Sequence, residues 1–423
     1  MTAAELKAFV VRSTVDNGPV PSTGEASVVH LRTKAVLELK KLRDVCELVN
    51  GRAYGKPELL AEGKYRVLRV GNFFTNNHWY YSDLELDDKK YCAQGDLLYA
   101  WSASFGPRIW TEEKVIYHYH IWKVIPNLNV IDQRYLFHFF NWDTESIKED
   151  QGAGTTMMHV SKGSMEDRDI QIPPLPEQQR IVAILDEAFE IIAAAKANAE
   201  KNLQNSRAIF ESYLQLIFTE RGQGWIDKSL GSLAVFRNGI NFTKSSVGEP
   251  IKILGVKDFR NSYWAPLDNL ETIIPDGFLS DLDTLQKDDL VFVRSNGNPE
   301  LIGRCLLVDD VIEKTTHSGF TIRARLIGME LIPTYLCHFL KSKHVRREMI
   351  DGGNGANIRS LNQGTLSRLV IPVPPIDAQG KIVIQLEEVK RETQRLEAIY
   401  QRKIAALDDL KKSLLHRAFN GDL

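Results

Sequence analysis

Ile172-Pro173-Pro174-Leu175-Pro176-Glu177-Gln178-Gln179-Arg180-Ile181-Val182 opens a long uninterrupted run, and the chain writes it again as Pro374-Pro375-Ile376-Asp377-Ala378-Gln379-Gly380-Lys381-Ile382-Val383. The offset is 201 residues. No Pro or Gly breaks residues 181–219 or 381–420. Ile181, Leu185, Ala188, Ile192, Ala195, Ala199, Asn202, Ser206, Ile209, Tyr213 and Leu216 step by four and three. The second copy steps alike through Ile382, Leu386, Val389, Thr393, Leu396, Tyr400, Lys403, Leu407, Leu410, Leu414 and Arg417. This is an apolar seam of period 3.5 held for about five heptads, the pattern of a helix that pairs with another helix. Proline presets the entry of each helix, and Gly222, Gly224 and Gly421 supply the stops.

Upstream of each helix the repeat continues. Asn50-Gly51-Arg52 faces Asn238-Gly239-Ile240, and Val67 to Phe73 faces Ile253 to Phe259. Asp96-Leu97-Leu98 faces Asp289-Leu290-Val291, and Arg134 to Phe139 faces Thr334 to Phe339. The offset grows along these pairs from 188 and 186 through 193 to 200, then holds at 201. Loops vary within the two heads, while the closing helices are of equal length. Runs such as Tyr65–Val70, Asp96–Trp101 and Val115–Val124 read as strands, and Tyr135–Phe140 reads as a helix.

The fold class expected is α+β. Two similar mixed heads are joined by two long antiparallel helices that form a coiled coil, a dumbbell with a pseudo-two-fold axis. A helix of about 40 residues reaches about 60 Å and overhangs a head of about 140 residues, so the other copy is the natural partner. Asn202 and Lys403 read either as polar seam residues that fix register or as outward-facing positions. The expected boundaries are a tail at 1–37, a head at 38–172, a long helix at 173–221, a second head at 222–372 and a second long helix at 373–423.

Composition excludes some classes. The 423 residues carry a net charge of −2, which argues against a polybasic coat for nucleic acid or a basic membrane-surface protein. It leaves room for a DNA binder with clustered cations. Cys46, Cys92, Cys305 and Cys337 stand far apart, without metal spacing or a disulfide framework, as expected in a reducing cytoplasm. No apolar run spans a membrane and no signal peptide opens the chain, so a soluble cytoplasmic protein is expected. Phosphate loops, dinucleotide fingerprints, HExxH, GxSxG and CxxC are all missing from the sequence. His118 and His120 sit two apart in an aromatic run and read as structural imidazoles rather than a metal pair.

What remains is a set of loops rich in Arg, Asn and aromatics beside glycines. Head one offers Arg52, Tyr54 and Lys56, then Asn72, Asn76 and Asn77, then Trp101, Ser102 and Arg108. Head two offers Arg237 and Asn241, then Lys257 and Arg260, then Arg294, Asn296 and Asn298. Arg and Asn suit the paired hydrogen bonds that read guanine and adenine, while Ser and main-chain amides suit phosphates. Each loop also reads as an ordinary polar turn. Gly-rich tips at 152–156 and 352–357 recur just before the helices, and Lys341, Lys343, Arg346 and Arg347 read as a solvated basic face. On the helices, Ile181, Leu185, Ile192, Ile209, Tyr213, Ile382, Leu386, Val389, Leu396, Leu407 and Leu414 are the expected helix–helix or partner interface.

The duplicated head-plus-helix plan, the Pro-Leu-Pro-Glu-Gln-Gln junction at 174–179 and the terminus Leu414-Leu415-His416-Arg417-Ala418-Phe419-Asn420-Gly421-Asp422-Leu423 resemble the specificity subunit of Type I restriction–modification enzymes. The resemblance covers nearly the whole chain from about residue 38. It implies that each head is a target-recognition domain reading one half of a split, asymmetric site on double-stranded DNA. It implies that the helices measure the unread spacer and dock two methyltransferase subunits, with restriction subunits joining that core. Catalysis and cofactors would then lie in the partners: S-adenosylmethionine for methylation, ATP with Mg²⁺ for restriction. A non-catalytic two-headed protein-binding tether is the alternative on the residues alone, and a hydrolase without a recognisable motif is the third reading.

Overall fold

The computed structural model describes residues 38–74, 77–102, 104–150, 160–243, 246–259, 262–276, 279–351 and 360–423. Expectations placed on the tail, on Asn76, on Arg260 and on both Gly-rich tips lie outside the described residues. The chain divides into two units. One runs to Ala199 and takes in Arg402–Leu423, and the other is Glu200–Gln401. Each unit contains one head and stretches of both long helices, Leu175–Thr219 and Ile376–Phe419.

In each head the chain enters and leaves side by side. Glu38–Lys41 pairs antiparallel with Asp169–Ile172, and Ile226–Ser229 pairs antiparallel with Val370–Val373. Beyond this neck the first head has an antiparallel four-stranded sheet in the order Cys46–Asn50, Ile121–Pro126, Leu97–Ser102, Ser104–Ile109. A second sheet pairs Tyr65–Leu68 in parallel with Val115–Tyr117. The second head repeats this. Its larger sheet runs Ala234–Asn238, Thr321–Leu326, Leu290–Val293, Cys305–Leu307, and Ile251–Leu254 pairs in parallel with Thr315–His317. The run expected as one strand at Val115–Val124 is therefore two, Val115–Tyr117 and Ile121–Pro126. The chain changes sheets at residues 118–120, and one continuous strand cannot serve both ladders.

A glycine fixes that crossing in both heads. A Cβ on Gly51 would lie 2.3 Å from the Tyr117 carbonyl oxygen, and one on Gly239 would lie 2.2 Å from the His317 carbonyl oxygen. Only a residue without a side chain lets the backbones approach so closely.

The signature at the helix entry now has a physical cause. Gln178 is fully buried, and so is Gln379, its counterpart in the second repeat. Gln178 Oε1 accepts from the Asp132 amide at 2.7 Å, and its Nε2 donates to the carbonyls of Val130 at 2.9 Å and Pro173 at 2.8 Å. Gln379 Oε1 accepts from the Ile332 amide at 2.8 Å, and its Nε2 donates to Glu330 at 2.8 Å and Pro374 at 2.9 Å. Each carboxamide ties the helix entry to the loop that precedes the head helix, Gln133–Asp150 or Pro333–Lys341. Tyr135 and Tyr335 add a second tie, donating to the carbonyls of Gln171 at 3.0 Å and Pro372 at 2.7 Å.

The apolar core of unit one joins Tyr135, Leu136, Phe139 and Phe140 of the head helix to Ile181, Leu185 and Ile192, and to Leu407, Leu414 and Phe419 of the second long helix. That of unit two joins Leu214 and Phe218 to Tyr335, Phe339 and Leu386. Tyr213 and Ile382 pack against the second core from its edge, and Val389 is half-buried. Within each unit the long helices pair antiparallel: Arg180 Nη2 donates to the Leu423 carbonyl, and Lys196 lies against Asp408.

Three seam positions are corrected. Ile209 is 49% exposed, Leu216 is 47% exposed and Leu396 is 36% exposed. The buried face of the first helix in unit two follows Leu203, Ser206, Phe210, Leu214 and Phe218 instead. An undistorted α-helix has 3.6 residues per turn, so a strict 3.5 count drifts about 20° per heptad and leaves the face. The last turns also pack on the head helix rather than on the other long helix, as the Phe218 contacts with Tyr335 and Phe339 show. Asn202 faces outward. No helix among the described residues is long and apolar enough to cross a membrane.

Gln178→Ala strands three buried polar groups and should lower stability by about 2–4 kcal/mol. Ile209→Ala should stay within about 0.5 kcal/mol. Urea unfolding of both full-length variants checks the pair; equal losses would refute this account of the junction and the seam.

Candidate nucleic-acid interface

In head one the turn at 118–120 gathers the loops that the sequence nominates. Arg52 bridges His118 through the backbone, and its guanidinium is paired with Glu58 at 2.6 Å and lies over the Tyr54 ring. Tyr54 stacks on His118 at 6.4 Å between ring centroids, and Lys56 is exposed nearby in sequence. Trp101 donates from Nε1 to the Tyr119 carbonyl at 2.9 Å and sets its ring edge-on to His120 at 5.1 Å. Asn72 is buried and donates to the His78 carbonyl at 2.7 Å. Around it Arg69, Val70, Gly71, His78, Tyr80, His118 and His120 line a cavity of about 280 Å³.

Other candidates are turned to structural work. Ser102 is buried, and Arg108 donates to the Phe73 carbonyl at 2.7 Å beneath the turn's neighbours. Asn77 is exposed. The residues that sequence reasoning missed are Arg69, His78, Tyr80 and the turn itself. His118, Tyr119 and His120 lie between two strands of different sheets and are partly exposed. The parallel pairing of Tyr65–Leu68 with Val115–Tyr117, which puts His118 beside Arg69, is a long-range contact with no local signal.

Head two rebuilds the same turn with different chemistry. The Trp101 amide donates to the His120 carbonyl at 3.1 Å, and the Arg294 amide donates to the Phe320 carbonyl at 2.8 Å. The Val160 amide then donates to the Trp101 carbonyl at 3.2 Å, and the Leu361 amide donates to the Arg294 carbonyl at 2.8 Å. Trp101 and Arg294 are thus equivalent backbone positions, each clamped between the turn and the segment that follows the Gly-rich tip. His118-Tyr119-His120 becomes Ser318-Gly319-Phe320, with Phe320 largely exposed. Arg52 becomes Ile240, and Tyr54 becomes Phe242.

The remaining nominees of head two divide. Arg237 is held by Asp283 at 2.6 Å and belongs to a polar layer that includes Arg323 and the bidentate Arg325–Asp289 pair. Lys257 pairs with Glu271, and Asn241 is exposed. Asn296 Oδ1 accepts from the Asn298 amide at 2.8 Å, and Asn298 Oδ1 accepts from the Glu300 amide at 3.0 Å, so both shape the loop beside Arg294. In the basic stretch, Lys341 donates to the carbonyls of Ser262 and Cys305, and Arg346 donates to the carbonyl of Glu300. Arg347 is exposed and Lys343 lies 3.7 Å from Glu211.

The electrostatics beneath these surfaces rest on neutral imidazoles. His138 donates from Nε2 to Asp186 at 2.8 Å, and His338 Nε2 lies 2.9 Å from Glu387, the residue equivalent to Asp186. Burial pushes both imidazoles below their ordinary pKa, against the pull of the carboxylates. His338 beside Glu387 in turn holds that carboxyl down at about 2. Burial pushes His317 down to about 3, and burial with His120 and Arg69 pushes His118 down to about 4.

Residues 37–203 and 279–404 match the family model described as the Type I restriction modification DNA specificity domain. The StySPI specificity subunit of Salmonella potsdam is 25% identical over 285 residues, 64% of this chain and 61% of that protein. The EcoKI specificity subunit of Escherichia coli is 27% identical over 301 residues, with the same shares. The chain therefore spans 61% of the length of each of these two relatives. A chain solved in work on complex assembly and conformational transition of the type I R-M system superposes with a TM-score of 0.74 at 16% identity, covering 92% of this chain and 98% of that one. The HsdS subunit from Thermoanaerobacter tengcongensis superposes at 0.57 with 18% identity, covering 93% and 98%. At these identities the likeness is one of fold.

The buried imidazoles give the fold a pH dependence. They are neutral when folded, and the unfolded chain binds more protons below about pH 6.5. Stability therefore rises with pH through this range and is lost on acidification, and Glu387 adds a further loss below its ordinary value of about 4.5. The urea midpoint should fall steadily from pH 7 to pH 5; a flat profile would refute neutral, buried histidines.

Proposed function

The chain belongs to the Type I restriction modification DNA specificity domain family, and from that premise we propose that it is the non-catalytic subunit that chooses the DNA target of a Type I restriction–modification complex. Each head reads one half of a split, asymmetric site. The observation that carries this reading is the shared turn with exchanged side chains. Trp101, Tyr119 and His120 in one head stand where Arg294, Gly319 and Phe320 stand in the other. An identical backbone frame with different hydrogen-bonding and stacking groups is what reading two different half-sites requires. Arg294 suits a bidentate contact to guanine, and Trp101 with the histidines suits stacking and groove contacts.

The long helices set the length of the unread spacer and dock two methyltransferase subunits, to which restriction subunits are added. The partners supply S-adenosylmethionine chemistry on extruded adenines and the ATP- and Mg²⁺-dependent steps. This chain supplies position. The near-neutral charge fits, because phosphate neutralisation is local to the heads and shared with the partners.

Methylome sequencing of cells carrying the methyltransferase, with and without this chain, tests the proposal. One split motif should be methylated only when the chain is present, and an unchanged pattern would refute the reading. Arg294→Ala should relax one half-site by about 10- to 100-fold in selectivity and leave the other intact. Inserting about four residues, near one turn, in the first long helix should alter the tolerated spacer or abolish assembly, with half-site bases unchanged.

A further inference from the structure

Among the described residues, ion pairs that link the long helices occur in each unit. Lys196 Nζ donates to both carboxylate oxygens of Asp408, at 2.6 and 2.8 Å. Arg207 Nε donates to Glu397 Oε2 at 3.0 Å. The repeat offset of 201 carries Lys196 onto Glu397 and Arg207 onto Asp408. The two pairs therefore occupy equivalent places in the repeat with their signs exchanged. The first helix supplies both cations and the second supplies both anions.

The apolar positions do not make this distinction. Ile181 and Leu185 of the first helix stand where Ile382 and Leu386 stand in the second. By apolar matching alone, a long helix could pair with the same helix of a second copy of the chain. In that antiparallel arrangement, at the register seen in each unit, Lys196 would face Arg207 of the second copy. Glu397 would likewise face Asp408. Every such like-helix pairing sets equal charges opposite each other, whereas first-with-second pairing sets opposite charges opposite each other.

We propose that this sign exchange directs each long helix to the other long helix of its own chain and away from the same helix of a second copy. Charges flanking an apolar seam choose partners in this way, by repelling the wrong one as well as attracting the right one. The four side chains are about half exposed, so each pair is weak alone and the selection acts through the number and sign of the contacts.

A double exchange separates this role from a merely stabilising one. Arg207→Glu with Glu397→Arg keeps opposite charges at both places within the chain. It also makes like-helix pairing complementary, since position 207 now suits Lys196 of a second copy and position 397 suits Asp408. The full-length parent and variant are unfolded in urea and refolded at about 0.02 M and about 1 M salt, and mass is read by light scattering after gel filtration. The variant should show about a tenfold larger dimer fraction at low salt, the ratio given by about 1.4 kcal/mol. The excess should vanish at high salt, where the screening length falls to about 3 Å. Equal dimer fractions in parent and variant, or an excess that salt does not remove, would overturn the proposal. If this variant does not refold, the mirror exchange Lys196→Asp with Asp408→Lys carries the same expectation and the same refutation.

Discussion

One buried carboxamide in each repeat holds the architecture together. Gln178 and Gln379 spend all of their main hydrogen-bonding capacity on backbone groups that no regular element satisfies: an amide at the start of the head helix, a carbonyl of the loop before it, and a carbonyl of the Pro-rich entry. Loops between short elements leave amides and carbonyls without partners. The glutamine closes three of them at one point and ties the start of the long helix to the head. Asp, Asn or Glu could not reach the same three groups with one acceptor and two donors at that length. The residues around it vary, Leu175-Pro176-Glu177 in one repeat and Ile376-Asp377-Ala378 in the other, because they do not carry the bonds.

Much of this was legible in the sequence. The repeat, the entry and exit of the long helices, and the glycines at 51 and 239 all leave local marks: proline before a helix, unbroken heptads, Asn-Gly at a crossing. The buried ends of the seam followed as well, at Ile181, Leu185, Ile192, Leu386, Leu407 and Leu414. The middle did not, because Ile209 and Leu396 obey a 3.5 count from which a helix of 3.6 residues per turn drifts away. The candidate surface was read in part. Trp101, Tyr54 and Arg294 were nominated by their chemistry and do meet the turn at the sheet crossing. Asn72 and Ser102 have the right chemistry but are buried, and His118 and His120, read as structural imidazoles, stand at the turn itself. Which side of a strand end faces solvent depends on a parallel pairing between segments about 50 residues apart, and such pairing leaves no periodic trace.

The two heads also show how one frame carries two chemistries. Backbone hydrogen bonds hold Trp101 and Arg294 in the same setting, so a side chain there is free to change without moving the chain. The structural positions are the reverse case. Tyr135 and Tyr335, His138 and His338, and the two glutamines are kept in both repeats because each closes a buried contact.

The neck of each head has its own implication. Because Glu38–Lys41 lies against Asp169–Ile172, and Ile226–Ser229 against Val370–Val373, the backbone goes in and comes out through one narrow doorway. Whatever lies beyond that doorway is topologically a single insertion into the rod. A cassette bounded at these two strands can be exchanged whole only if it brings the head-helix face that packs on Ile181 and Leu185 and the loop groups that bond Gln178. A new head can then arise by exchange of the whole insertion.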